Sequence, residues 1–344
     1  MYKYYFVDCI IALIFLVNTA CTLPTILPTD SVITGSLPAL IQDRIQMPSG
    51  NALSSLEQEE KRSHDVKPEA VPQETVSYLK SLIEILKAVY CTSASQDGEW
   101  KCAYCQKQTT LLLHFHSSIS NGFTGIVTRD DSKKTFYLLF AGTKSVQNVV
   151  TDLQYVPLPY PPVGQGTKIH KGMYDSYITK QKTIQIAMLD EMSRYPEYQV
   201  VVMGHSLGAG IATIAAFDLY QRNKFLNGNN LHLVTAGDPA IGNREFSYYA
   251  AGTNIDIIRL TQKNDIVSGT SDTLKLTGFV HIGKEYWIQD AKSILVCPSK
   301  FETPNCIKST TSNPLRLTTA FSDHLIYFDQ RISQCTIDES LGVP

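Results

Sequence analysis

Gly204-His205-Ser206-Leu207-Gly208 sets one serine between two glycines. A serine hydroxyl becomes a useful nucleophile only when a nearby base takes its proton and a carboxylate orients that base. The surrounding sequence decides whether the pentapeptide has that role. A β-rich apolar run, Gln199 to Met203, leads directly in, and a run with helical character, Leu207 to Arg222, leads directly out. Strand, tight turn and helix form an elbow that exposes the hydroxyl, while the glycines let strand and helix approach closely. The start of the helix also favours negative charge developing on an acyl oxygen. A glycine-rich turn with a capping serine is the plain alternative.

Three histidines follow Ser206 in the chain: His232, His281 and His324. His232 lies mid-strand and His281 in an apolar run, whereas His324, in Ser322-Asp323-His324-Leu325, falls near the C-terminus and is the expected base. Asp265 follows the strand pattern Ile255 to Leu260 after a short loop, the position expected of the orienting acid. Asp238, Asp256, Asp272, Asp290 and Asp323 remain its rivals on spacing alone. An oxyanion hole needs two donors. Leu207 offers its N–H, and Thr143, in the turn Phe140-Ala141-Gly142-Thr143, offers an N–H and a hydroxyl. Val146, Val149, Val150 and Leu153 then recur at i, i+3, i+4 and i+7, one apolar face of a short helix. That helix is either a lid beside the oxyanion turn or an ordinary surface helix. His205, Tyr155, Val267, Phe321 and Leu325 are the expected substrate-side residues.

The elements that must hold these groups alternate. Ser77 to Tyr90 and Lys182 to Met192 have helical spacing, Thr135 to Phe140 and Leu231 to Thr235 read as strands, and no internal repeat is present. Alternation of this kind predicts an α/β fold around a largely buried sheet. Lys3, the short apolar run Ile10 to Val17 and the small residues around Ala20 predict a signal peptide over residues 1–21. Residues 22–62 are rich in Pro and Ser, show no sustained hydrophobic period and end in Lys61-Arg62. They read as an exposed, poorly folding propeptide, with one catalytic domain over residues 63–344. The chain has 30 basic and 32 acidic residues and a net charge of −2, so nothing in its balance asks for nucleic acid. Of eight cysteines, six lie beyond the leader: Cys91, Cys102, Cys105, Cys297, Cys306 and Cys335. In an exported chain an even number predicts three disulfides. Cys102 and Cys105 form a CxxC, but with no second pair to complete four ligands a zinc site is not expected. No Asn-x-Ser/Thr sequon occurs, so N-glycosylation is not expected.

Linked motifs then give a resemblance. FAGT at 140 to 143, TDL at 151 to 153, YPPV at 160 to 163 and HKGMYDSY at 170 to 177 precede GHSLGAG at 204 to 210. NDIV at 264 to 267, EYW at 285 to 287 and DHLIYF at 323 to 328 follow it. In these the chain resembles the filamentous-fungal class 3 lipases of the Rhizomucor and Rhizopus type, from about Ser63 to Cys335. The resemblance implies an α/β-hydrolase fold, a central mixed, mostly parallel sheet flanked by helices, with a short helical lid. It implies a triad of Ser206, Asp265 and His324, an oxyanion hydroxyl on Thr143, and Asp152 as the lid-region acid that positions it. It also implies disulfides Cys91–Cys335, Cys102–Cys105 and Cys297–Cys306. Two departures stand out: Val149 replaces a tryptophan found in some relatives, and Ser268-Gly269-Thr270-Ser271 replaces a proline-rich segment.

The expected function is secreted hydrolysis of triacylglycerol esters through an acyl-enzyme. The partners are a lipid or ester substrate and, transiently, a lipid–water interface; neither metal nor organic cofactor is implied, and no transmembrane segment follows the leader. A feruloyl-type esterase or a phospholipase fits the same site. A catalytically silent binding protein would carry a broken triad, and here every member is present.

Overall fold

The computed structural model describes residues 35–91, 100, 102, 104–105, 109–117, 122–142, 156–269, 278–310 and 319–334. Its frame is a nine-stranded sheet: β1 (Glu69–Ala70), β2 (Thr109–His116), β3 (Thr124–Asp130), β4 (Thr135–Phe140), β5 (Gln199–His205), β6 (Leu231–Ala236), β7 (Asp256–Gln262), β8 (Lys284–Ile288) and β9 (Ile294–Cys297). Their spatial order is β1-β9-β8-β7-β6-β5-β4-β3-β2. The five central strands, β4 to β8, pair parallel, while both flanks pair antiparallel. The α/β-hydrolase architecture expected from the motifs is present.

Parallel strands are covered on both faces and so read as nearly unbroken apolar runs. All six residues of β4 are buried, as are residues 200–205 of β5. Helices α1 (Gly50–Ser63), α2 (Gln73–Lys87), α3 (Lys171–Arg194), α4 (Leu207–Arg222), α5 (Arg244–Gly252) and α6 (Ala320–Asp323) pack around it. One core face joins α3 and α4 to β4 and β5 through Met173, Ile184, Ile211, Phe217, Phe136 and Val202. The other joins α2 to the sheet through Leu79, Leu82, Ile83 and Leu86, the residues whose spacing predicts that helix.

Register aligns the ends of the strands. Phe140 pairs with Gly204, His205 with Ala236, and Ala236 with Leu260. The chain therefore leaves β4, β5, β6 and β7 along one edge of the sheet, where ligands bind in open α/β sheets.

The segment before Ser63 departs from expectation. Residues 50–62 are not an open linker; they belong to α1. A hydrophobic period fails to show it because only Leu56, with partly buried Leu53 beside it, anchors the helix against Tyr248, Ala251 and Phe301. Polar anchors supply the rest. Glu60 takes Arg244 Nε at 3.0 Å and also binds Tyr248. Upstream, Arg44 donates to the carbonyls of Tyr220, Asn223 and Lys224 at 2.7, 2.7 and 3.0 Å. Lys61 and Arg62 are exposed in the last turn of α1. Ser63 is buried, its Oγ donating to the carbonyls of Glu60 (2.7 Å) and Glu302 (3.1 Å).

Candidate active site

Ser206 follows β5 directly and precedes α4, with φ 58° and ψ −128°. Left-handed φ at a non-glycine residue is strained by about 1–3 kcal/mol, and here two contacts enforce it. Ser206 N–H donates to Ala236 O at 2.9 Å, and Ala209 N–H donates to Ser206 O at 2.9 Å. A Cβ on Gly204 would fall 2.1 Å from Gly208 O, and one on Gly208 would fall 2.5 Å from Phe140 O. Both glycines are thus required by the closeness of strand and helix, as the pentapeptide predicts. Ser206 is 1% exposed.

His324 is fully buried at the end of α6, and its Nδ1 lies 2.9 and 3.0 Å from the two carboxylate oxygens of Asp265. Asp265 Oδ1 also accepts Val267 N–H at 2.8 Å, and Oδ2 accepts the Ser268 hydroxyl at 3.2 Å. Burial by itself would raise the Asp265 carboxyl. The charge and hydrogen bond of His324, with Val267 N–H, outweigh it and hold the group below the ordinary carboxylate range. A carboxylate on Nδ1 leaves Nε2 of His324 as the nitrogen available for proton transfer.

None of the described rival carboxylates bonds His324, whose Nδ1 is taken by Asp265. Asp238 is buried, but its carbonyl accepts from His281 Nε2 at 3.1 Å. Asp256 is exposed beside His232 at 3.4 Å, and Asp290 caps a turn through the N–H groups of Lys292 and Ser293. Asp323 accepts Asn264 N–H at 3.3 Å and the Thr319 hydroxyl at 2.9 Å, which ties the loop of Asp265 to that of His324. Asp272 lies outside the described residues. His281 is held by Glu302 at 2.9 Å.

Thr143, Val146, Val149, Val150, Asp152, Leu153 and Tyr155 all lie outside the described residues. Leu207 is buried at the first position of α4. Of the expected substrate-side residues, Phe321 is 37% exposed and Leu325 is half-buried. Val267 is fully buried, with its N–H committed to Asp265, and His205 is 2% exposed with both ring nitrogens engaged. Neither presents itself to a ligand in this conformation. Val156, where the described chain resumes, is exposed. Sequence reasoning missed Tyr90, and it named Ser268 and Asp323 without the contacts they make to Asp265 and its loop. Tyr90 carries no periodic signal of use, since it matters through one hydroxyl. Cys102–Cys105 and Cys297–Cys306 are bonded, and Cys91 is in a disulfide whose expected partner, Cys335, lies outside the described residues.

A buried histidine–carboxylate pair beneath a serine elbow, at the edge of a parallel sheet, defines a serine hydrolase of the α/β type. Comparison narrows the class. The pattern described as Lipase (class 3) matches residues 137–274. The lipase of Rhizomucor miehei is 38% identical over 250 residues, 72% of this chain and 67% of that one. A lipase of Rhizopus niveus is 35% identical over 254 residues, 73% of this chain and 63% of its own length. In structure, the native propeptide complex of the Rhizomucor miehei lipase superposes with a TM-score of 0.76 at 33% identity, covering 88% of this chain and 100% of that one. A triacylglycerol lipase whose catalytic centre is formed by a serine protease triad gives a TM-score of 0.72 at 35% identity, covering 78% of this chain and 100% of its own. The chain belongs to the class 3 lipase family. It is a carboxylic ester hydrolase.

Proposed function

We propose that the protein is a secreted triacylglycerol lipase working through an acyl-enzyme on Ser206. The observation that carries this reading is the Asp265–His324 pair, fully buried and hydrogen-bonded next to the strained serine elbow. His324 Nε2 takes the Ser206 proton as Oγ attacks the ester carbonyl. The Leu207 N–H and the Thr143 hydroxyl, the latter positioned by Asp152, stabilise the oxyanion. His324 then protonates the leaving alcohol, and water, activated by the same imidazole, releases the acid. Asp265 keeps the ring in its Nδ1–H tautomer and stabilises the imidazolium. Triacylglycerol is the substrate favoured by the apolar stripe Val146, Val149, Val150 and Leu153, proposed as a lid, and by exposed Val156 and Phe321 nearby in sequence to lid and base.

The same reading assigns residues 1–21 to a signal peptide, 22–62 to a propeptide cut after Lys61-Arg62, and 63–344 to the catalytic domain. Disulfides at Cys91, Cys102–Cys105 and Cys297–Cys306 support export to an oxidising compartment. Among the described residues no helix is long and apolar enough to cross a membrane. The deciding measurement is activity on a short ester carried through its solubility limit, together with emulsified triglyceride. A jump at the limit and turnover of the emulsion are expected. Smooth saturation with no emulsion activity would make the protein an esterase.

A further inference from the structure

Tyr90 ends the 3₁₀ turn Ala88–Tyr90, which continues α2 into the disulfide-bonded Cys91. Its hydroxyl meets two groups from different catalytic segments. Gly142 N–H, one residue before Thr143, donates to Tyr90 Oη at 2.8 Å. On its other side Oη lies 2.6 Å from Nδ1 of His205, one residue before Ser206. The remaining ring nitrogen, His205 Nε2, lies 3.0 Å from the backbone carbonyl of His324.

The proton positions follow from which groups are able to donate. A carbonyl oxygen only accepts, so His205 Nε2 carries the hydrogen and the neutral ring leaves Nδ1 as an acceptor. Tyr90 Oη already accepts from Gly142, so its single proton is given to Nδ1. The result is one directed chain, Gly142 N–H to Tyr90 O–H to His205 Nδ1, and His205 Nε2–H to His324 O=C. It joins the oxyanion turn, the nucleophile elbow and the backbone of the base. The fit is close: a Cβ on Gly142 would fall 2.7 Å from His205 O and 2.8 Å from Ser206 Cβ.

We propose that Tyr90 is a positioning residue for ester hydrolysis, holding the oxyanion turn against the elbow and His205 as the neutral Nε2–H tautomer beside His324. The inference rests on the Ser206–Asp265–His324 reading. Its electrostatic consequence concerns the charge that His324 gains during reaction. The His205 and His324 rings are 4.8 Å apart, so a charged His205 would oppose the imidazolium. Burial and the charge of His324 push His205 down to about 3, so it stays neutral while its neighbour takes a proton. The hydroxyl also fixes where the oxyanion turn begins, and misplacing donors by about 1 Å is enough to cost roughly 100-fold in rate.

Tyr90→Phe removes the oxygen and keeps the ring. On a soluble short ester it should lower kcat about 10- to 100-fold with KM unchanged. In protein carrying ¹⁵N-labelled histidine, the His205 Nδ1 resonance should move towards that of a free acceptor nitrogen. His205→Gln, which retains one acceptor and one donor, should keep most of the wild-type kcat, whereas His205→Leu should fall as far as Tyr90→Phe. This pair decides the matter if Tyr90→Phe does not fold. A fluorophosphonate adduct mapped to Ser206 tests the underlying triad separately. No adduct there would overturn the triad reading. An adduct on Ser206 combined with wild-type kcat and an unmoved His205 resonance in Tyr90→Phe would overturn the role of Tyr90 alone. Equal loss in His205→Gln and His205→Leu would overturn it as well.

Discussion

Helix α4 meets different chemistry at its two ends. Its N-terminus, where aligned peptide dipoles leave partial positive charge, begins at Ser206, the proposed nucleophile, where negative charge would build on an acyl oxygen. Its C-terminus, the partially negative end, is already satisfied. Arg44 stacks on Tyr220 at 4.6 Å and donates to three carbonyls, Ile41 N–H bonds Gln221 O at 2.8 Å, and Arg222 reaches back to Pro38. At about 1.5 Å per residue the 16-residue helix separates the ends by roughly 24 Å. The reactive end is strained and spare in hydrogen bonds: among the described residues neither Ser206 Oγ nor His324 Nε2 has a partner. The docking end is saturated. One dipole thus meets the proposed nucleophile at one terminus and the docked residues 35–62 at the other, and mutation should separate the two.

The largest effect belongs to the reactive end. Ser206→Ala should cut turnover by on the order of 10⁵ or more while leaving thermal unfolding and the protection of residues 35–62 unchanged. Substantial residual turnover would place the nucleophile elsewhere.

Acid should act at the same end next. His205 is depressed to about 3, by burial first and then by the charge of His324, and His170, the buried N-cap of α3, to about 4 by burial. Each binds its proton more readily when unfolded, so its stabilisation is complete above about 6.5 and is lost as pH falls towards 4 and 3. Each group loses about 1.4 kcal/mol per pH unit below 6.5, so by pH 4.5 the two together lose on the order of 5 kcal/mol. Melting temperatures from pH 7.5 to 4.5 should fall accordingly. A flat profile would show that neither ring is held neutral by the fold.

The docking end gives the smallest effect. Arg44→Ala should loosen residues 35–62 by about 2 kcal/mol, since charged hydrogen bonds contribute about 1.5–3 kcal/mol and this guanidinium is partly exposed. Hydrogen exchange over residues 35–63 should speed up roughly 30-fold while kcat stays at the wild-type value. A fall in kcat to match would join the two ends after all.

Much of the reactive end is legible in the sequence because its constraints are local. Gly204 and Gly208, a β-rich entry and a helical exit leave few arrangements, and α4 runs over the same residues that its pattern marks out. Motif order also leads to His324. Spacing does not choose among six aspartates, because the choice depends on a loop crossing that brings Asp265 within 2.9 Å of His324 from 59 positions away. Helix α3 starts 11 residues before its apolar period shows, since His170 caps it through Met173 N–H and its first turns bury Met173 and Tyr177 among Gly172, Asp175 and Ser176. The docking end is the least legible. Leu56, Glu60 and Arg44 stabilise their segment through Phe301, Arg244, Tyr248 and the end of α4, partners that no local period records.

The last turn of α1 bears on the order of events in maturation. A protease binds its substrate as an extended strand, yet the peptide bond between Arg62 and Ser63 lies in a helical turn, with Ser63 pinned to Glu60 and Glu302. The proposed cut is therefore faster on a chain that has not yet docked this helix. Once docking is complete, cleavage waits on fraying of that turn, at a rate that falls as the Glu60–Arg244–Tyr248 clamp tightens. Folding and processing then compete for the same few residues. On the proposed reading, their relative speed would set how much of the secreted protein keeps residues 22–62 covalently attached.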